Sequence, residues 1–110
     1  MTEKHKPYYF AERIRLAGIE WAEAKRDAKV AEKSAKRKFA ALLLASEQTS
    51  DERRKAWATC QKQYQDADDK ATQSEFMENT AKAELDALNI AFEEWRSMNA
   101  TKRAEAKATG

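Results

Sequence analysis

The chain is nearly devoid of helix breakers. It has 110 residues, with a single proline and only two glycines; these are Pro7, Gly18 and Gly110, so nothing between residues 19 and 109 is an obligate breaker. A β-rich fold needs turn residues between its strands, and they are missing. Nor does any stretch approach the roughly 18 consecutive apolar residues of a membrane span, and residues 1–7 hold no apolar signal core. The expectation is a cytoplasmic protein with no membrane partner. The single cysteine, Cys60, cannot form an internal disulfide, which fits a reducing compartment.

Scarcity also bears on chemistry. The one histidine, His5, has no carboxylate or cysteine cluster near it in sequence and reads as a solvated side chain near the N-terminus. Cys60 has no histidine to activate it and reads as a packed thiol. Glu93-Glu94 and Asp68-Asp69 are carboxylate pairs, but helical di-metal sites use inward Glu-x-x-His pairs, and the chain has none. One internal glycine makes no phosphate loop. The sequence therefore suggests a non-enzyme with no metal, no cofactor and no small-molecule substrate.

What is abundant is charge and helix propensity. Charged residues make up 36% of the chain and the mean hydropathy is −0.93, values that suit disorder, but the 42% hydrophobic share includes ten aromatics and favours a packed fold. The apolar residues recur in steps of three and four. In the first half, Phe10, Ala17, Ala24, Ala31 and Ala45 occupy one seven-residue series, and Ile14, Trp21, Ala28, Ala35 and Leu42 the other, with only Lys38 interrupting. This spacing predicts one helix over about 7–46, with Pro7 in its first turn. Thr49 and Glu52 have capping-box spacing, which puts a short loop at about 47–49 and a new start near 50. From there Trp57, Tyr64, Ala71, Glu78, Leu85 and Phe92 form one series, and Cys60, Ala67, Ser74, Ala81, Leu88 and Trp95 the other. An unbroken helix over about 50–105 follows. The alternative is a break at 65–70, where three aspartates would open a turn and give three helices.

The predicted fold is all-α: a long, coiled-coil-like antiparallel helical hairpin in a single domain spanning 1–110. With a turn centred near residue 48, positions whose numbers sum to about 95 face each other, so Trp21 would meet Ser74. Leu85, Leu88, Phe92 and Trp95 would meet Tyr8, Tyr9, Phe10 and Ile14 in an aromatic cluster at the far end. Leu16, Ile19, Phe76 and Ile90 fall off this seam and form a candidate oligomer interface, in the simplest case that of a homodimer and four-helix bundle.

Charge is segregated despite a net +2. Residues 1–46 carry 11 basic against 6 acidic groups, whereas residues 65–95 carry 2 against 9. Part of this is the expected pairing of a basic helix with an acidic one. The remainder is a stripe: Lys25, Arg26, Lys29, Lys33, Lys36 and Arg37 fall within about 120° of arc, away from the alanine seam. Regularly placed outward cations suit a phosphate backbone, so these six are the candidate nucleic-acid-binding residues. No base-stacking aromatic is interleaved among them.

The segment Ala83-Glu84-Leu85-Asp86-Ala87-Leu88-Asn89-Ile90-Ala91-Phe92-Glu93-Glu94-Trp95, followed by Thr101-Lys102-Arg103-Ala104-Glu105, resembles small all-helical proteins of tailed phages and prophages, typically encoded in replication and recombination regions. The stretch from Ala11-Glu12-Arg13 to Trp21 is similar too. The resemblance implies a non-enzymatic accessory protein of phage DNA replication or recombination in a bacterial host cell. Such a protein would act by oligomerising and by binding DNA or a recombination protein. It supplies no functional residues to carry over, and the acidic run from Asp66 to Asp69 departs from it. The alternative function is a protein–protein module that inhibits a host nuclease or defence complex.

Overall fold

Among the described residues three helices follow one another: α1 (Tyr8–Ala45), α2 (Asp51–Thr59) and α3 (Lys62–Thr109). The computed structural model describes residues 8–109; His5 and Pro7, singled out above, lie outside the described residues. Among the described residues there is no strand, and no helix is long and apolar enough to cross a membrane. The fold class is all-α, built on antiparallel pairing of α1 with α3. The chain divides into two compact units, one containing residues 8–21 and 80–109, the other Ala22–Asn79.

In the first unit the start of α1 packs against the end of α3 through aromatic rings. Phe10 is buried, with its ring centroid 5.7 Å from Phe92 and 5.8 Å from Trp95. Tyr9 meets Phe10 edge-on at 5.1 Å. Such pairs add about 0.5–1.5 kcal/mol each beyond the apolar area they cover. Ala17 is buried, and Ile14, Leu85 and Leu88 are half-buried. This is the expected far-end cluster, except that Tyr8 is left 59% exposed. Further along, Lys82 Nζ lies 4.9 Å from the Trp21 ring centroid and is also bonded to Asp86 at 2.9 Å.

In the second unit the seam is mostly alanine. Ala31, Ala35 and Ala67 are buried, and Ala24, Ala28 and Ala71 are half-buried. Small side chains let two backbones approach closely, so this stretch holds little apolar volume. Phe39 and Tyr64 close one end, with centroids 5.1 Å apart. Ser50 caps α2, its side chain accepting from Arg53 N at 3.2 Å. The cap is thus one residue later than the Thr49 expected from the capping-box spacing. Asp51 and Glu52 occupy the first turn, where carboxylates suit the positive helix end.

The unbroken second helix is corrected: α2 ends at Thr59 and α3 begins at Lys62. The break is at Cys60–Gln61, and the aspartate run at 65–70 is continuous helix. Local bonds take up backbone groups at the break. Thr59 Oγ1 donates to the Lys55 carbonyl at 2.7 Å. The Gln61 amide donates to the Ala58 carbonyl, a tightened turn, while its side chain takes the Trp57 carbonyl at 3.0 Å. Asp66, Asp68 and Asp69 are exposed, so their carboxylates stay hydrated and cost the helix only about 0.7 kcal/mol or less apiece. Cys60, read above as a packed seam thiol, is exposed at the break.

The pairing register is corrected too. Phe10 meets Phe92 within the expected cluster, but Trp21 meets Lys82 and Phe39 meets Tyr64, each of these two partners lying about one heptad beyond the position expected from a turn at residue 48. Trp21, expected opposite Ser74, lies against Lys82. The connection accounts for the shift: α2 and the breaks on either side of it move the turn towards residue 51.

Candidate nucleic-acid interface

The six candidate cations share one helix and one compact unit. Lys25, Arg26, Lys29, Lys33, Lys36 and Arg37 are all exposed, while Ala24, Ala28, Ala31 and Ala35 between them face the seam. α1 has no proline or glycine in this stretch, so about 100° per residue carries the stripe without interruption over roughly 18 Å.

Their electrostatic settings differ. Lys25 and Lys29 border a groove whose other wall is Asp68, Glu75 and the half-buried Glu78 of α3. Lys36 Nζ pairs with Glu32 at 3.0 Å, and that hydrogen bond, reinforced by the lysine's charge, holds the Glu32 carboxyl below its usual range. Arg26 lies 4.0 Å from Asp27. Lys33 and Arg37 make no ion pair among the described residues. The stripe thus has one edge turned towards the acidic helix and an outer row, Arg26, Lys33 and Arg37, directed away from it. All six are exposed, as helical projection of the sequence expects, whereas this division depends on the register.

The residues of the candidate oligomer interface are exposed. Leu16 and Ile19 are each 45% exposed on α1, and Ile90 is 61% exposed on α3 of the same unit; Phe76, at 67%, belongs to the other unit. Ile90 and Met98 line one shallow apolar recess on α3, and Leu16 and Ile19 do not contribute to it. Val30, Leu44, Met77 and Met98 are also well exposed and were not singled out from the sequence. The signal for Met98 was its position eight residues after Ile90, on the same helix face.

Among the described residues no group of three or more His, Cys, Asp or Glu side chains comes together to hold a metal ion. Apart from Glu32, the titration shifts are those of a surface pair: Arg15 bonds Glu12 at 2.6 Å, lowering the Glu12 carboxyl and raising the arginine. No protein-family model, curated protein or solved structure matches the chain.

Proposed function

We propose that this protein is a non-enzymatic, phage-type accessory factor of DNA replication or recombination that binds the phosphate backbone through the outer face of α1. The observation that carries this reading is the exposed row of cations along one uninterrupted helix face, with the alanine seam on the opposite side. Phosphate contacts draw affinity from counterion release and need no pocket, so a regular row of solvated cations is sufficient. The lack of interleaved aromatics favours backbone contact over base stacking. The resemblance of residues 83–95 to small helical phage proteins supports the setting.

The test is fluorescence anisotropy with a labelled DNA oligonucleotide at low ionic strength, comparing the parent with R26Q/K33Q/R37Q. These side chains lie off the seam, so helicity is retained while affinity drops at least tenfold. Equal affinity of the two proteins would remove α1 as the interface. A second reading, a module that inhibits a host nuclease or defence complex, is favoured by the exposed Leu16, Ile19, Phe76 and Ile90. It takes the lead if the parent binds no DNA.

A further inference from the structure

The unit formed by Ala22–Asn79 has two unlike backs. Projected at about 100° per residue, Lys33, Arg37 and Leu44 of α1 fall within about 40° of one another, opposite the alanine seam. On α3, Asp66, Asp69 and Phe76 fall within about 80°, opposite Tyr64, Ala67 and Ala71. All four charged side chains are exposed and form no ion pair among the described residues. Leu44 is 90% exposed, Phe76 67% and Met77 57%. One back is therefore basic with an apolar end, and the other carries two carboxylates, flanked by Lys62 and Lys70, with an apolar end.

The two also match in spacing. From Arg37 to Leu44, and from Asp69 to Phe76, the sequence advances by seven residues; from Lys33 to Leu44, and from Asp66 to Met77, by eleven. At about 1.5 Å per residue, the basic pair and the acidic pair lie the same distances, about 10 and 16 Å, from their apolar ends. Laid parallel, the two faces set Lys33 against Asp66, Arg37 against Asp69 and Leu44 against Phe76 and Met77.

We propose that the outer face of α1 in one copy docks on the outer face of α3 in a second copy, in parallel register. The occupant is a second copy because the same chain carries both complementary faces. Since the faces differ, the contact is heterologous and does not close on itself: each added copy leaves one back of each kind open. Lys33 and Arg37 serve both this contact and the proposed phosphate contact, so DNA and a neighbouring copy exclude each other there. The self-association does not rest on the nucleic-acid reading.

Light scattering at low ionic strength tests it. The parent's mass rises with concentration beyond twice 12.6 kDa and returns towards 12.6 kDa in high salt. K33E/R37E and D66K/D69K each remain at 12.6 kDa, and the chain carrying all four reversals regains the parent's concentration dependence. Circular dichroism checks that each variant stays helical; where a reversal unfolds the chain, K33Q/R37Q and D66N/D69N replace it. A parent that stays at 12.6 kDa overturns the proposal, as does a fixed dimer indifferent to the reversals or a fourfold reversal that fails to reassociate. Because D66N/D69N leaves α1 intact and adds no cation, its DNA binding reports on the nucleic-acid reading separately.

Discussion

Among the described residues, Phe10 is the only large side chain in the buried core; the other buried residues are alanines. Its ring joins Tyr9, Phe92 and Trp95. Truncating it forfeits both the transfer free energy and those ring contacts. Phe10→Ala should therefore destabilise the fold by about 3–5 kcal/mol in chemical denaturation. Lys33→Ala, at an exposed site without an ion pair among the described residues, should stay within about 0.5 kcal/mol. Equal losses from the two would mean that the aromatic cluster does not anchor the fold.

Of the elements, α1 was the most legible in the sequence. Its two interleaved series are buried or half-buried at every position except Ala45, and the interrupting Lys38 is exposed. The break at Cys60–Gln61 was not legible, because no proline or glycine marks it. The register was missed for a different reason. A seven-residue slip returns each seam residue to the seam, so periodicity reveals which faces meet but not which residues. The same degeneracy concealed the groove of Lys25 and Lys29 with Asp68, Glu75 and Glu78. Gly18 offers a test of α1 as an element. It is mid-helix, its φ is not positive, and an added Cβ would meet nothing within 4 Å. Gly18→Ala should stabilise by about 0.8–1 kcal/mol, seen as a raised denaturation midpoint, since only the entropic cost of glycine is removed. A lowered midpoint would mean that the glycine is there for a close approach.

For the molecule as a whole, charge carries the functional account. The stripe was fully legible as a set of positions, because helical projection depends only on spacing. Its division into a groove edge and an outer row required the structure. If the outer face of α1 engages about four phosphates, the logarithm of the association constant must fall linearly with the logarithm of salt concentration. The slope should be about −3 to −4 on duplex DNA, from about −0.9 per phosphate neutralised. A titration of the parent against labelled duplex across a range of salt concentrations is the most direct measurement. A slope in that range supports α1 as a phosphate-binding face; no binding at low salt, or binding indifferent to salt, contradicts it.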